Sequence, residues 1–210
     1  MIRLPASAAL LMLATMLAIP PVGAAKPGAR GAAGAAPGLV RVRLQTSEGP
    51  IVIALETKRA PITAANFLRY VDEKRFDGTS FYRAARKREA PELGLVQGGI
   101  NHRAVRALVP IEHEPTDRTG LRHVDGTVSM ARNAPGTAMG DFFITVGPAR
   151  YLDARPGGSV GYAAFGHVVE GMAVVRKILA APTYPGGWSA NTMGQSIVSP
   201  IRIISARRVP

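Results

Sequence analysis

The stretch that decides the fold runs from Gly126 to Gly147, GTVSMARNAPGTAMGDFFITVG. Two β-patterned runs, Thr127 to Ala131 and Phe142 to Val146, flank a loop of small residues. Successive side chains of a strand point to opposite faces, so the neighbouring rings Phe142 and Phe143 must point in opposite directions. One ring can therefore enter a core while the other lines a pocket.

Short strands bounded by Gly- and Pro-rich turns are predicted along most of the chain. Leu39 to Thr46 alternates apolar and polar residues, and Ile51 to Glu56 follows after a turn, so these two runs form a hairpin. The last run, Pro200 to Arg208, is predicted to be a strand. Ile201, Ile203 and Ser205 would lie on one face, and Arg202, Ile204 and Ala206 on the other. Many strands with few helices favour a closed antiparallel barrel over a parallel sheet.

Two helices are predicted. Pro61 suits a first helical turn, and the first helix continues to about Glu73. Its apolar stripe is formed by Ile62, Ala65, Leu68 and Val71. The second helix runs from about Gly171 to Ala180, with Met172, Val175 and Ile178 at three-residue spacing.

The N-terminal residues are typical of an export signal. Ala8 to Ile19 is an apolar run too short to span a bilayer comfortably, and Val22-Gly23-Ala24-Ala25 offers small residues for cleavage. The alternative is an uncleaved membrane anchor. Export to the periplasm, without stable membrane insertion of the mature chain, is the favoured prediction. The predicted segments are a signal peptide (1–25), a flexible Gly/Ala/Pro linker (26–38) and a folded domain (39–210).

The chain is strongly basic and has no cysteine. Its 26 Lys and Arg residues against 14 Asp and Glu give a formal net charge of +12. Nucleic-acid binding is one reading of this charge, but no stretch interleaves basic and aromatic residues as a stacking platform does. A basic surface that meets anionic envelope surfaces weakly is favoured, and no nucleic-acid partner is expected. Without cysteine, disulfides and thiol nucleophiles are excluded.

Hydrolytic and metal chemistry are not favoured. Gly157 to Gly161, GGSVG, matches the G-x-S-x-G nucleophile elbow, but that motif requires a strand before it and a helix after it. Arg155-Pro156 precedes it, and a strand-like run follows. Metal-ligand residue types do share one stretch: His102, Glu112, His113, Glu114, Asp117, His123 and Asp125. Because loop histidines are more often solvated or structural, we expect no metal and no cofactor.

Four further motifs accompany the opening stretch in a fixed order. They are FYR (81–83), VQGG (96–99), YLD (151–153) and GYAAFGHVVEGM (161–172). In this order the motifs resemble the cyclophilin family of peptidyl-prolyl isomerases, over essentially all of Leu39 to Pro210. The resemblance implies a mainly β fold, a closed eight-stranded antiparallel barrel capped by two α-helices. It also implies isomerisation of X–Pro bonds, so the expected partners are proline-containing polypeptides of the cell envelope, and we expect a monomer.

The resemblance also assigns the site. Arg83 matches the family's catalytic arginine, and Gln97 matches the glutamine that binds the peptide and steadies that arginine. Phe143 matches the base of the proline pocket, and Leu152 its aliphatic wall. The other substrate-binding positions are Leu95, Ala131 and Arg132 (the last two through their backbone), Asp141, Tyr151 and Tyr162. Without the family, Arg83 could equally be a surface arginine and Phe143 an ordinary core residue.

Several positions depart from the family pattern. Residues 84–96 form a longer connection than usual, and Gly94, with Leu95 next, replaces a bulky aromatic residue. Tyr151 replaces a tryptophan or phenylalanine, and Tyr162 replaces a histidine found in some members. These departures put catalytic efficiency in question.

The most consequential departure is Asp141, at the position of a pocket glutamine. The favoured prediction pairs its carboxylate with Arg83, in competition with substrate. The alternative directs it to the loop amides around Asn133. Asp141 and the long connection also motivate a second hypothesis, a cyclophilin-fold module or chaperone that binds proline-containing peptides with weak or no turnover.

Overall fold

The computed structural model describes residues 39–187 and 189–210, so the predicted signal peptide (1–25) and the predicted linker (26–38) lie outside the described residues. The strands are β1 (Leu39–Thr46), β2 (Gly49–Glu56), β3 (Thr79–Arg86), β4 (Gly94–Gly99), β5 (Thr127–Met130), β6 (Asp141–Val146), β7 (Ala164–Glu170), β8 (Thr183–Tyr184) and β9 (Ser196–Val209). The α-helices are α1 (Pro61–Asp72), α2 (Thr116–Thr119) and α3 (Met172–Leu179). Single 3₁₀ turns lie at Ala104–Arg106, Arg150–Leu152 and Ala190–Thr192.

Eight strands form a closed antiparallel barrel. Neighbouring strands follow the order β1, β2, β7, β5, β6, β4, β3 and β9, and β9 pairs with β1 to close the ring. The two-residue strand β8 pairs with β9 outside this ring. The predicted mainly β, eight-stranded barrel is therefore confirmed, and the short helix α2 is added to the two predicted helices.

An aromatic cluster fills part of the core around Phe142. Its ring centroid lies 5.3 Å from that of Phe67, 5.5 Å from Phe76 and 5.7 Å from Phe81. The rings meet at steep angles of 74–84°, the edge-to-face geometry that aromatic pairs favour. Phe142 is fully buried, which is the core position expected for one member of the aromatic pair.

Helix α1 packs through a different face from the one predicted. Leu68 and Val71 are buried as expected, but Ile62 and Ala65 are exposed. The fully buried rings of Phe67 and Tyr70 determine the orientation instead, because an aromatic ring removes more apolar area from water than a small aliphatic side chain.

The N-terminus of α1 is capped by a distant residue. Ala60, the N-cap residue, makes no side-chain hydrogen bond. The buried Glu114 carboxylate instead accepts hydrogen bonds from the backbone N–H groups of Ile62 (3.2 Å) and Thr63 (2.7 Å) and from the Thr63 hydroxyl (2.6 Å). A carboxylate is also favoured at this end of the helix dipole. Glu114, considered above as a metal-ligand type, therefore has a capping role.

Helix α3 confirms the second predicted helix, with Val175 and Ile178 fully buried. Its C-terminal end is bound by Arg86 of β3, which donates to the carbonyl oxygens of Leu179 (2.7 Å) and Ala181. A cation at this end of a helix is stabilising. Within the described residues, no helix combines the length and the apolar character needed to cross a membrane.

Strand β9 is longer than predicted and changes its alternation midway. Ile203 is buried as expected, but Ala206 is buried where Ser205 was predicted. The register with β1 shifts at this point, because Gln45 pairs with Ser205 while Thr46 pairs with Ile203. Such an irregularity reverses which residues face the interior.

Candidate active site

Strands β3 and β4 provide the polar side of the site. Arg83 lies opposite Gln97, and a register shift between Phe81 and Arg83 leaves Tyr82 as an extra residue. In a regular strand, Phe81 and Arg83 would point to the same face, because they are two residues apart. The bulge lets Phe81 enter the core while Arg83 lines a surface cavity.

Each of the two glycines of VQGG is needed for a different steric reason. A Cβ on Gly98 would lie 2.8 Å from the Phe81 ring. Gly99 has φ +125°, and a Cβ there would lie 2.2 Å from the carbonyl oxygen of Gly140. Both positions therefore require glycine for β3, β4 and β6 to approach one another beside Arg83.

Arg83 is held by two neutral amide groups. Its Nη1 donates to Gln97 Oε1 at 2.7 Å, and its Nε donates to Gln195 Oε1 at 2.7 Å. Gln97 is fixed in turn, because its Nε2 donates to the Tyr82 hydroxyl at 2.8 Å. Burial lowers the pKa of the Arg83 guanidinium, which nevertheless stays charged at neutral pH. Within residues 39–187 and 189–210, no carboxylate forms an ion pair with Arg83.

Gln195 is a site residue that the sequence analysis missed. It lies 112 residues after Arg83 and belongs to none of the quoted motifs. Only the pairing of β9 with β3, which sets Ser196 opposite Arg83, brings it to the guanidinium.

Strand β6 provides the apolar side of the site. Phe143, on the face opposite to Phe142, packs with Ala149 and Leu152 in a small cluster separate from the main core. Leu95, Ala131 and Tyr162 pack against this cluster, and the Tyr162 ring meets the Phe143 ring edge-on at 5.4 Å. Phe143 is thus not an ordinary core residue, and the predicted opposite placement of the two rings is found.

One cavity of about 420 Å³ brings all the predicted site residues together. Its lining includes Arg83, Leu95, Gln97, Ala131, Arg132, Asp141, Phe143, Tyr151, Leu152 and Tyr162. It also includes residues outside the predicted set, among them His102, Ser189, Asn191 and Thr192. An apolar socket therefore lies beside a half-buried cationic donor, an arrangement suited to a proline ring and its amide nitrogen.

The Asp141 carboxylate does not pair with Arg83, which was the favoured prediction. Its Oδ1 accepts a hydrogen bond from the backbone N–H of Asn101 at 2.7 Å, and its Oδ2 accepts one from that of His102 at 3.1 Å. The His102 ring Nδ1 lies 3.4 Å from Oδ2. The predicted pairing with Arg83 is therefore wrong. The loop-amide alternative is right in kind, but the loop is Asn101–His102 rather than the one around Asn133.

The two hydrogen bonds that the Asp141 carboxylate accepts stabilise an uncommon backbone turn. Asn101 and His102 both have positive φ, at 51° and 55°, a conformation that is uncommon for residues other than glycine. Hydrogen bonds to a buried carboxylate can stabilise such a turn. Asp141 thus holds the turn that follows β4 at the rim of the cavity.

Arg132 contributes more than the backbone role assigned to it. Its Nη2 donates to the carbonyl oxygen of Gly161, and its guanidinium carbon lies 4.7 Å from the centre of the Tyr162 ring. A cation stacked on an aromatic face is stabilised by the ring quadrupole. The N–H of neighbouring Ala131 donates to Asp141 O at 2.9 Å, so only its carbonyl could pair with a peptide strand.

Buried His123 supports the base of the pocket. Its ring stacks on Phe143 at 6.0 Å, with Nδ1 2.8 Å from Asp153 Oδ1 and Nε2 3.0 Å from Ser129 Oγ. Burial lowers the His123 pKa despite the neighbouring carboxylate, so a neutral ring donates to Asp153 and accepts from Ser129. Burial opposes ionisation of Asp153, but hydrogen bonds from His123 and Arg150 outweigh it and lower the carboxyl pKa. These are the residue types of a hydrolytic triad, but no substrate can reach the fully buried Ser129.

The G-x-S-x-G match is not a nucleophile elbow. Residues 157–161 lie in a loop between the 3₁₀ turn Arg150–Leu152 and strand β7. The strand before the serine and the helix after it, both required by that motif, are missing from this part of the described chain.

The long connection 84–96 is a hairpin. Its two ends continue β3 and β4, and residues 87–93 form the loop between them. Lys87 N–H donates to the Leu93 carbonyl at 2.9 Å, which closes the loop. The connection therefore leaves Arg83 opposite Gln97 in the paired strands.

Comparisons with known proteins agree with this geometry. The family described as "Cyclophilin type peptidyl-prolyl cis-trans isomerase/CLD" matches residues 41–208. A relative named peptidyl-prolyl cis-trans isomerase from Acinetobacter baylyi is 36% identical over 170 residues, covering 79% of this chain and 84% of the relative. Peptidyl-prolyl cis-trans isomerase B of Escherichia coli is 33% identical over 161 residues, covering 75% and 94%.

A solved structure shows the same fold. A cyclophilin type peptidyl-prolyl cis-trans isomerase from Cryptosporidium parvum aligns with a TM-score of 0.63 at 19% identity, covering 82% of this chain and 98% of that one. With an eight-stranded barrel, a family match over nearly all of the described residues and relatives above 30% identity, the chain belongs to the cyclophilin-type peptidyl-prolyl cis-trans isomerases.

Proposed function

We propose that this isomerase acts on X–Pro bonds of exported proteins in the cell envelope, with Arg83 as the hydrogen-bond donor to the prolyl nitrogen. The observation that carries this proposal is a half-buried guanidinium held by Gln97 and Gln195, without an ion-pair partner among the described residues, at the edge of an apolar pocket. A guanidinium has five N–H donors, and these two bonds occupy only two of them.

The chemistry requires a catalyst that favours the twisted amide. Rotation about a peptide bond is opposed by about 18–20 kcal/mol, because the nitrogen lone pair is delocalised into the carbonyl. In the twisted state the lone pair returns to the nitrogen, which then becomes a hydrogen-bond acceptor. Arg83 would donate to that nitrogen, while Phe143 and Leu152 hold the proline ring.

This arrangement can supply much of the transition-state stabilisation that catalysis requires. Acceleration by about 10⁴–10⁵ requires about 5.5–7 kcal/mol of stabilisation that is specific to the transition state. A charge-assisted donor that is already oriented, in a pocket with little water, can supply much of it. Gln97 and Gln195 orient Arg83 before substrate arrives.

The second hypothesis was a binding module with weak turnover. Its two motivations were Asp141 and the long connection. Turnover is supported over this hypothesis because Asp141 binds the Asn101–His102 turn and makes no ion pair with Arg83, and residues 84–96 form a hairpin with Arg83 opposite Gln97. Refolding of a protein limited by proline isomerisation separates the hypotheses. We expect catalytic amounts of this protein to accelerate the slow phase, whereas peptide binding without acceleration would overturn the proposed catalysis.

Export is the cellular part of the proposal. It is supported by the apolar run Ala8 to Ile19 and by the small residues Val22 to Ala25 that follow it. Mass spectrometry of the mature protein from its native host should find an N-terminus at Ala25 or Lys26. A full-length chain retained in the membrane and starting at Met1 would contradict export and support the anchor alternative.

A further inference from the structure

We infer that Gln195, like Gln97, is a positioning residue that orients Arg83 for catalysis. This inference rests on the proposed role of Arg83. The two glutamines bind different atoms of one guanidinium: Gln97 Oε1 accepts from Nη1 and Gln195 Oε1 accepts from Nε, each at 2.7 Å. A guanidinium held at two of its nitrogens is fixed both in position and in the rotation of its plane.

Gln195 is itself firmly held. Its backbone carbonyl accepts from Ala84 N–H at 2.8 Å, and its backbone N–H donates to the Thr192 carbonyl at 3.2 Å. Its side-chain Nε2 donates to the Asn191 carbonyl at 3.0 Å. Because Nε2 is bound to a carbonyl oxygen, the amide must present its other end, Oε1, to Arg83. Only this orientation of the amide satisfies both groups.

The Gln195 amide is neutral, and this absence of charge affects how available the Arg83 donors are to substrate. A carboxylate in place of the Gln195 amide would form a close ion pair with Arg83, since it would sit at hydrogen-bond distance in a partly buried site. The guanidinium would then be stabilised in the resting state, and its donors would be less available to a prolyl nitrogen. Two neutral acceptors orient the cation without neutralising it.

The segment that carries Gln195 also forms a wall of the cavity. Ser189, Asn191 and Thr192 line the same cavity as Arg83. The Ser189 and Thr192 backbones and hydroxyls bind one another in a capping box around the turn Ala190–Thr192. The wall that would contact a bound polypeptide is therefore tied through Gln195 to the catalytic arginine.

Three variants test this inference. Gln195→Met keeps the length of the side chain but removes the acceptor, whereas Gln195→Glu keeps an acceptor but adds a charge. Gln45→Met is the matched control, because Gln45 is a half-buried glutamine on β1 outside the cavity. We expect each Gln195 variant to lower kcat for peptide isomerisation about tenfold, in the range of one hydrogen bond to a charged group, with KM changed less than twofold. The control should match the unsubstituted protein.

A readout on Arg83 itself separates positioning from a general structural effect. The Nε–H resonance of Arg83, assigned by its loss in Arg83→Lys, should shift and exchange faster with solvent in Gln195→Met. In Gln195→Glu it should stay protected while kcat still falls. Unchanged kcat in both Gln195 variants, with a protein that is active and sensitive to Arg83→Ala, would overturn this inference alone. Insensitivity to Arg83→Ala would instead overturn the proposed function.

Discussion

Replacing Arg83 with alanine is expected to lower kcat/KM for X–Pro isomerisation by at least about 100-fold, the range measured when one oriented donor to a developing acceptor is removed. Folding should be nearly unaffected, because Arg83 lies at an open cavity and its partners, Gln97 and Gln195, are neutral amides that water can solvate in its place. The expected change in the free energy of unfolding is below about 1 kcal/mol. NMR exchange measurements on a proline peptide give the rates, and denaturant unfolding gives the stability.

Two further variants sharpen this test. Arg83→Lys keeps the positive charge but loses the planar fork, so we expect a loss of activity between those of the unsubstituted protein and Arg83→Ala. Arg43→Ala is the control for overall charge, because Arg43 is an exposed arginine on β1. If Arg83→Ala retains activity within about twofold, the effect is only ~0.4 kcal/mol, too little for a principal catalytic group.

The second large effect is expected from the adjacent rings Phe142 and Phe143. Phe142→Ala should lower the free energy of unfolding by about 3–5 kcal/mol, because it removes a fully buried ring from contact with three others. Phe143→Ala should destabilise the fold less, because its ring lies in a small cluster beside an open cavity. It should instead weaken binding of proline peptides by at least about tenfold, since the base of the pocket is lost.

Denaturant unfolding measures the stability of both alanine variants, and peptide titration measures their affinity for proline peptides. Phe142→Leu and Phe143→Leu are conservative controls that keep an apolar side chain and should reduce each effect. The assignment of Phe143 to the pocket fails if Phe143→Ala costs as much stability as Phe142→Ala while peptide affinity stays unchanged. Phe143 would then act as a core residue.

The comparison of prediction with structure is most informative at Asp141 and in helix α1. The residue type at position 141 indicated a possible partner for Arg83, but the direction of a side chain depends on which donors are near. Two backbone amides of a turn with positive φ donate to the Asp141 carboxylate. In α1, the apolar stripe predicted Ile62 and Ala65 inside, but the aromatic residues Phe67 and Tyr70 determined the packed face.

What the sequence determines by itself is whatever depends on short-range periodicity and on motifs in a fixed order. Alternation along β6 separates Phe142 from Phe143, and the ordered motifs identify the family, the barrel and the predicted cavity residues, with Leu95 directly before VQGG. These inferences need no knowledge of distant contacts.

What only the tertiary structure decides is how distant segments meet. Gln195 reaches Arg83 because β9 pairs with β3, and Glu114 caps α1 although more than fifty positions separate them in the chain. The bulge at Tyr82 directs Arg83 out of the barrel against the ordinary alternation. Hydrogen bonds between remote segments depend on how the strands pair, so no local pattern of residues contains them.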